Sequence, residues 1–362
     1  MKETYFNNEK LPLIIEPNGV GTSKAELLRW LATNKGVFTK KFYESGAVLF
    51  RGFDIDTPTD FETLALQVDP RLKNDYYGTS PRNIVKGTNF IYTASELPSF
   101  YPIMQHCEMS YVKEPPITLF FYCHVEPQYG GETPLCNFRK VYEQLDPKIR
   151  DEFDKKGVMT VRNYSGLEQK SRFNLFELKK WNELFNTTDR AEVERQCHEQ
   201  EIEYSWQNNG NLRLIHKTPA TIKHPVSGET VWFNHTQVFQ PSAAPVEYEY
   251  IHARQHRAKT LFWSLLTKAM VKMKNLTTQP INQSMNVLFG DGTAIPDSYV
   301  KHIEDVIWKN LIIIPWKKND VIAIDNFSTA HGRLPYEGPR QILVCWSAAP
   351  APSKSPPTGG TF

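Results

Sequence analysis

Two histidines and a glutamate in this sequence have the residue types and spacing that suit a metal centre. His106 and Glu108 are separated by one residue, and in an extended chain such side chains point to the same face. His331 comes much later, after the apolar run 320–326, where we expect a strand to end in a loop. Two imidazoles and one carboxylate form the facial triad of non-haem Fe(II) oxygenases, which leaves coordination positions open. Alone, the His-x-Glu triplet is weak evidence, because it also occurs by chance.

A second group of residues has the chemistry of a carboxylate receptor. Thr133 follows Gly130 and Gly131 after a strongly apolar run, and Arg340 stands at the head of the apolar segment 342–346. A guanidinium can hold a carboxylate through two hydrogen bonds, and a nearby hydroxyl can add a third. The alternative for Arg340 is an ordinary surface arginine, which its place beside an apolar segment disfavours.

The elements that must position these residues are predicted from apolar periodicity and turn residues. Ser23 and Glu26 form a capping-box pattern that predicts a helix over 24–35. The run 139–156 predicts an amphipathic helix broken at Pro147. The strands of the core are predicted near 47–51, 116–125, 320–326 and 341–348, with further short strands around 211–223, 230–234 and 311–316. Other helices are predicted over 168–200, 243–275 and 297–310.

Composition excludes several classes of protein. The chain has 362 residues, with 42 Lys and Arg against 40 Asp and Glu, so its charge does not indicate a nucleic-acid or anionic-membrane partner. The polar start lacks the apolar stretch of a signal peptide, and no run approaches the roughly 18 apolar residues of a membrane span. None of the five cysteines forms a CxxC pair. We therefore expect a cytoplasmic protein, with a flexible tail over 350–362.

Several motifs, in their order along the chain, resemble the taurine dioxygenase/clavaminate synthase-like superfamily of Fe(II)- and 2-oxoglutarate-dependent oxygenases. Within it, the sequence is most similar to the branch of the syringomycin biosynthesis hydroxylase. The motifs are GAVLFRGF (46–53), QHCEMSY (105–111), FFYCHVEPQYGGETPLCNFRKVYEQL (120–145), HPVSGETVWFNH (224–235), FGDGTAIP (289–296) and DVIAIDNFSTAHGRLPYEGPRQILV (320–344).

The resemblance implies a fold and a set of site residues. The fold would be an all-β double-stranded β-helix, or jelly roll, with flanking helices in a single domain over 1–349. Iron would be bound by His106, Glu108 and His331, and 2-oxoglutarate by Thr133 and Arg340. The glutamate ligand is typical of the clavaminate synthase-like branch, because taurine dioxygenase-like members carry Asp there. Many relatives have a second arginine where this chain has Val344, so a sulfonate-like substrate is disfavoured.

The implied activity is hydroxylation of an amino acid or amino-acid derivative in specialised metabolism such as antibiotic biosynthesis, with O₂ as cosubstrate and succinate and CO₂ as co-products. The substrate could be free or tethered to a carrier protein. Desaturation, epoxidation or cyclisation would begin with the same chemistry. Halogenation is disfavoured by Glu108, because halogenases of the superfamily lack this carboxylate. A zinc hydrolase or a non-catalytic binding protein on the same scaffold is a more remote alternative.

Two further residues are candidates for binding the substrate. Arg333 lies two residues beyond a predicted ligand, where either a substrate contact or a supporting role is plausible. Asn234 is a candidate for the cavity wall. Structural roles are favoured for the remaining histidines near the motifs, which are His124, His216, His224 and His235.

Overall fold

The structure, a computed structural model, describes residues 1–19, 23–74, 82–95, 97–167 and 180–348. The strands in these ranges are β1 (Lys2–Tyr5), β2 (Leu13–Glu16), β3 (Ala47–Phe50), β4 (Tyr92–Thr93), β5 (Ile103–His106), β6 (Thr118–Val125), β7 (Tyr129–Gly130), β8 (Leu135–Asn137), β9 (Val158–Tyr164), β10 (Glu203–Trp206), β11 (Leu212–Thr218), β12 (Thr221–Lys223), β13 (Thr230–Trp232), β14 (Met285–Phe289), β15 (Leu311–Ile312), β16 (Val321–Asp325), β17 (Thr329–Arg333), β18 (Tyr336–Glu337) and β19 (Gln341–Trp346).

The helices in the same ranges are α1 (Lys24–Thr33), α2 (Lys35–Ser45), α3 (Pro58–Val68), α4 (Phe138–Gln144), α5 (Pro147–Lys156), α6 (Trp181–Phe185), α7 (Arg190–Glu199), α8 (Thr236–Phe239), α9 (Ala243–Gln255), α10 (Ala258–Thr277) and α11 (Asp297–Lys309), with a 3-10 turn over Pro280–Asn282. None of the described helices is both long and apolar enough to cross a membrane.

A large sheet of seven strands in the order β1-β2-β3-β16-β6-β19-β4 forms one layer of the core. All its pairs are antiparallel except β2 with β3. The central strands β16 and β6 are buried along most of their length, as expected for short, continuous apolar runs. Because β16 pairs with both β3 and β6, the N-terminal and C-terminal thirds of the chain share one sheet.

A smaller sheet in the order β15-β8-β17-β5 packs against the large one. Their shared apolar cluster includes Phe121 and Val344 from the large sheet, and Leu135 and Ile312 from the smaller one. Within the smaller sheet, β17 pairs with β5 in antiparallel register, which makes these two distant segments adjacent strands. This pairing decides where the candidate ligands lie.

The remaining elements cover this core. A third sheet in the order β10-β11-β9-β14 buries an apolar cluster with α6 and α7. Helices α4, α8, α9 and α11 contribute to the largest apolar cluster, together with Trp232 of β13 and Phe289 of β14.

Most predicted elements occur close to their expected positions. The helix expected over 24–35 begins at Lys24, where the Ser23 hydroxyl accepts from the Glu26 backbone N–H, and it ends at Thr33. The helix expected over 139–156 is divided at Pro147 into α4 and α5. The block 243–275 is two helices, separated at His256, which has a φ of 50°. The predicted helix over 168–200 is represented by α6 and α7, while residues 168–179 and the tail 350–362 lie outside the described ranges.

Two local predictions were wrong. The strand expected over 311–316 is limited to Leu311–Ile312, and Pro315, which has no N–H to donate, lies in the non-strand remainder. His331 does not lie in a loop after the apolar strand, because the loop is shorter than expected. The Asp325 carboxylate accepts from the backbone N–H of Phe327 and the hydroxyl of Ser328, so the chain turns within three residues and His331 lies inside the next strand, β17.

Candidate metal centre

The donor atoms of His106, Glu108 and His331 converge on one point of the smaller sheet. Oε2 of Glu108 lies 3.9 Å from Nε2 of His106 and 3.8 Å from Nε2 of His331. The two imidazole rings are 4.4 Å apart between centroids, and the two histidines are paired residues of β5 and β17. These are also the residues whose ligand atoms lie mutually within 4.8 Å in the described part of the chain.

The route by which Glu108 reaches this point differs from the expected one. Strand β5 ends at His106, and the chain then turns, with Met109 at a φ of 52°. Cys107, the residue between His106 and Glu108, is fully buried in an apolar cluster. Glu108 therefore approaches the histidines from the turn that follows β5, rather than from a continued strand.

His106 is oriented by its own strand. Its Nδ1 lies 2.9 Å from the carbonyl oxygen of Met104. A carbonyl can only accept, so this contact assigns the hydrogen to Nδ1 and leaves the lone pair of Nε2 directed at the centre. A hydrogen bond of this kind is usual for metal-binding histidines.

His331 is kept neutral by its surroundings. Burial lowers its pKa well below the ordinary value, and the nearby His106 and Arg82 lower it further. Its ring packs against Phe121, with centroids 5.0 Å apart. A neutral imidazole is the form that binds a metal, so His331 is available as a ligand at neutral pH.

Glu108 is held in its charged form. Burial acts to raise the pKa of its carboxyl, but opposing interactions, of which the charge of Arg82 is the largest, outweigh that effect, and the pKa is lowered. Nη2 of Arg82 donates to Oε2 of Glu108 over 2.9 Å. Two imidazoles and one carboxylate, all buried or nearly so, form a donor set that fits a divalent metal such as Fe(II).

The backbone of Glu108 is fixed by Asn326, which was not singled out from the sequence. The Asn326 amide accepts from the Glu108 N–H over 2.6 Å and donates to the Glu108 carbonyl over 3.0 Å and to that of Pro116 over 2.8 Å. Asn326 is fully buried just before β17. Asn326 could have been singled out from the sequence, because it is a polar residue directly after an apolar strand. Nothing in the sequence near Arg82 indicated its contact with Glu108.

Arg340 contacts a sharp glycine turn, and Thr133 follows this turn in the sequence. Nε of Arg340 donates to the Gly131 carbonyl over 2.8 Å, and Gly131 has a φ of +69°. A Cβ on Gly131 would come within 2.8 Å of Cβ of Tyr336 and 3.0 Å of Cδ of Arg340, so glycine is required for this close approach. Thr133 is buried, and its hydroxyl accepts from Nε1 of Trp316 over 3.2 Å.

Arg340 remains charged although it is largely buried. Burial lowers its pKa to about 10, with repulsion from Arg333 contributing, so the guanidinium stays protonated at neutral pH. A charged, largely desolvated guanidinium is a strong receptor for a carboxylate.

The structure places the two substrate candidates in supporting contacts. The Arg333 guanidinium donates to four backbone carbonyls, those of Ser95, Leu97, Pro98 and Tyr101. The Asn234 amide donates to the Ala220 carbonyl and accepts from the Thr236 N–H. These contacts occupy both terminal nitrogens of the Arg333 guanidinium and both polar atoms of the Asn234 amide. They favour the supporting role for Arg333 and count against Asn234 as part of a cavity wall.

His235 lies closer to the centre than its expected structural role suggested. Its ring is 5.7 Å from that of His106, and its Nδ1 is 2.6 Å from the hydroxyl oxygen of Ser110. Burial lowers its pKa well below the ordinary value, so it is neutral. His224 hydrogen-bonds Asp325, His216 contacts Arg162, and His124 lies beside Tyr122, all away from the three candidate ligands.

A cavity of about 260 Å³ lies beside the turn that follows Glu108, and none of the three candidate ligands lines it. Its wall includes Met109, which follows Glu108, and Trp346, whose ring is 5.7 Å from the Arg82 guanidinium. Lys73 and Lys113 also line it.

Two histidines and one carboxylate with converging donor atoms are the arrangement found in non-haem iron oxygenases. Residues 8–346 match the taurine catabolism dioxygenase TauD, TfdA family, and the chain belongs to that family. It is a 2-oxoglutarate-dependent non-haem iron dioxygenase, with Fe(II) as its metal and 2-oxoglutarate and O₂ as cosubstrates. The family predicted from the sequence motifs is thereby confirmed.

The chain is similar to individual relatives over most of their length. The chain is 30% identical to the dapdiamide synthesis protein DdaC of Enterobacter agglomerans over 302 residues, which cover 83% of this chain and 82% of DdaC. It is 26% identical to a clavaminate synthase-like protein of Arabidopsis thaliana over 352 residues, 95% of each chain. Among solved structures, PvcB of Pseudomonas aeruginosa matches with a TM-score of 0.49 and 11% identity, over 93% of this chain and 86% of PvcB.

Proposed function

We propose that His106, Glu108 and His331 bind the iron of this enzyme. The observation that carries the proposal is the convergence of their three donor atoms, with both histidines able to present a lone pair and the glutamate charged. Three ligands on one side leave the remaining coordination positions for a cosubstrate and O₂. When bound there, iron would supply the activation of O₂, while the protein binds and orients the reactants.

We infer that Arg340 receives the distal carboxylate of 2-oxoglutarate, with the Thr133 hydroxyl as a further hydrogen-bonding group. The charged guanidinium and its fixed approach over Gly131 support this role. Consumption of 2-oxoglutarate delivers one oxygen atom of O₂ to succinate, with loss of CO₂, and the other to the substrate.

The substrate that we propose is an amino acid or amino-acid derivative in specialised metabolism. Support comes from the relative DdaC, whose name places it in dapdiamide synthesis, and from the resemblance to the syringomycin hydroxylase branch. The resemblance to this branch also allows a substrate that is tethered to a carrier protein. Hydroxylation is the reaction we favour, and epoxidation, desaturation or cyclisation would use the same centre.

We propose further that the two facing sheets form a double-stranded β-helix within one domain over 1–349. The pairing of β3 with β16, of β6 with β16 and β19, and of β5 with β17 supports this organisation.

The experiment that tests the function uses the purified chain with Fe(II), ascorbate and 2-oxoglutarate. We expect O₂-dependent formation of succinate, slow without a primary substrate and faster with the correct amino-acid derivative. Candidate substrates should be offered both free and loaded on a carrier protein. A chain that binds Fe(II) but forms no succinate with any of them would contradict the proposal.

A further inference from the structure

The outer side of the candidate metal centre holds a positive charge that the proposed function does not use. Arg82 contacts Oε2 of Glu108 over 2.9 Å, and each of these side chains is 7% exposed. The same oxygen faces both histidines, at 3.9 Å from Nε2 of His106 and 3.8 Å from Nε2 of His331. One atom of Glu108 therefore lies between the arginine and the position of the metal.

A carboxylate oxygen can serve both partners, because it has two lone pairs. One can be directed at a cation and the other at a hydrogen-bond donor. Arginine remains protonated in proteins, so its contact with Glu108 is charge-assisted. The Arg82 guanidinium also lies over the ring of Trp346, which is 2% exposed and ends the buried strand β19. Arg82 is thus held between the ring and the carboxylate.

We propose that Arg82 is a positioning residue of the metal centre, which shares Oε2 of Glu108 with the bound metal and fixes the orientation of this carboxylate. The inference rests on the proposed function, because it takes His106, Glu108 and His331 as the ligands. Without Arg82, the Glu108 side chain could rotate and would have to be ordered whenever metal binds. Groups that hydrogen-bond a metal ligand from outside typically contribute about 10- to 100-fold to metal affinity.

The opposite role for Arg82 would be competition with the metal. If Arg82 had to leave Oε2 before a metal could bind, its removal would strengthen metal binding. Sharing and competition therefore predict changes of opposite sign in the same measurement.

The test measures Mn(II) binding to the full-length chain by electron paramagnetic resonance of the free ion, which requires no turnover. Arg82→Gln should raise the Mn(II) dissociation constant by about 10- to 100-fold. Arg82→Lys keeps the charge and one donor but loses the planar fork, so it should restore part of the affinity. If Arg82→Gln does not fold, the Arg82→Lys variant tests the proposal by itself. Its Mn(II) dissociation constant should still be larger than that of the wild type.

The matched control is Arg51→Gln. Arg51 forms a two-point ion pair with the buried Asp320, so the substitution breaks a comparable pair that involves no candidate ligand. It should lower the melting temperature and leave the Mn(II) dissociation constant unchanged. An unchanged or smaller dissociation constant in folded Arg82→Gln or Arg82→Lys would overturn the proposal for Arg82 alone. A wild-type chain that binds no Mn(II), or a His331→Ala variant that binds it normally, would overturn the ligand assignment itself.

Discussion

Asn326 holds the backbone of Glu108 at both of its polar groups, although the two residues are 218 positions apart. Glu108 lies in the turn after β5, and Asn326 lies in the turn that leads into β17. The contact therefore joins the two segments that carry the candidate ligands, at the ends of strands that are already paired. Asn326 fixes where the Glu108 backbone lies, while Arg82 contacts its carboxylate.

Replacing Asn326 should weaken both the fold and the metal site. In Asn326→Ala the buried Glu108 N–H and the carbonyls of Glu108 and Pro116 lose their partner. An unsatisfied buried group costs about 1–3 kcal/mol, so we expect the free energy of unfolding to fall by at least ~2 kcal/mol. Urea unfolding measures this, and Mn(II) titration of the folded variant should show weaker binding.

The control for Asn326 is Asn282→Ala, which removes an exposed amide that accepts from Arg213. It should change neither the free energy of unfolding nor the Mn(II) affinity appreciably. If Asn326→Ala unfolded at the same urea concentration as the wild type, the hydrogen bonds of Asn326 would contribute little to stability.

Removing either of the two proposed histidine ligands should abolish turnover and leave the fold largely intact. His106→Ala and His331→Ala each remove one imidazole from the proposed set of three ligands, so the metal should bind more weakly and without the facial triad. Succinate formation measures the loss, and circular dichroism checks the fold. Undiminished succinate in either variant would rule out its residue as a ligand.

Arg340→Lys should weaken the binding of 2-oxoglutarate specifically. It keeps the charge but loses two-point contact, and a charge-assisted hydrogen bond contributes roughly 1.5–3 kcal/mol. That corresponds to about a tenfold to hundredfold rise in the apparent KM for 2-oxoglutarate. Thr133→Ala should act in the same direction but more weakly, because it removes a neutral hydrogen bond.

The measurement for Arg340 is titration of 2-oxoglutarate into anaerobic Fe(II) protein, followed by the metal-to-ligand charge-transfer absorption. The affinity for the primary substrate should change much less. If Arg340→Lys bound 2-oxoglutarate like the wild type, Arg340 would not be the residue that holds its distal carboxylate.

Gly131→Ala should disturb the same carboxylate site through the backbone. The added Cβ would meet Tyr336 at 2.8 Å and Arg340 at 3.0 Å, at a φ that favours glycine. We expect a lower melting temperature and a weaker response to 2-oxoglutarate. Gly36→Ala, in α2, is the matched control, because a Cβ there meets nothing within 4 Å. Normal 2-oxoglutarate binding in Gly131→Ala would show that Arg340 tolerates displacement.

A buried pair of glutamates predicts a dependence of stability on pH away from the metal. Burial raises the pKa of Glu247 in α9 to about 7, and burial also raises the pKa of Glu304 in α11, with Glu247 contributing. A raised carboxyl pKa contributes stability that is fully present below the unfolded value of 4.5 and is lost as pH rises through about 7. The fold should therefore lose stability between about pH 5 and 8 through this pair.

Glu247→Gln isolates this effect, because its amide oxygen can still accept from Nε1 of Trp308. Relative to wild type, the variant should gain stability as pH rises from 5 to 8, as measured by urea unfolding at each pH. Glu249→Gln, on the exposed side of the same helix, is the control. A stability difference between Glu247→Gln and wild type that is the same at both pH values would contradict the assignment.

The sequence by itself determined those features that depend on neighbouring residues. The spacing of His106 and Glu108 predicted that their side chains meet at one centre, although Glu108 reaches it from the turn after β5 and not from a continued strand. The capping pattern at Ser23 and the break at Pro147 fixed helix boundaries, because caps and prolines act on the backbone within one turn. The motifs around His331 and Arg340 identified the family, because they preserve residue types in order.

Only the tertiary structure decided how the distant segments meet. The register that sets His331 opposite His106 depends on strand pairing, and no local pattern encodes which strands pair. The contacts of Glu108 with Arg82 and Asn326 depend on the same packing, because each joins residues far apart in sequence. Arg333 shows the converse. Its residue type and position suited a substrate contact, but folding brought four backbone carbonyls to its guanidinium, and a buried charge is most stable where such partners surround it.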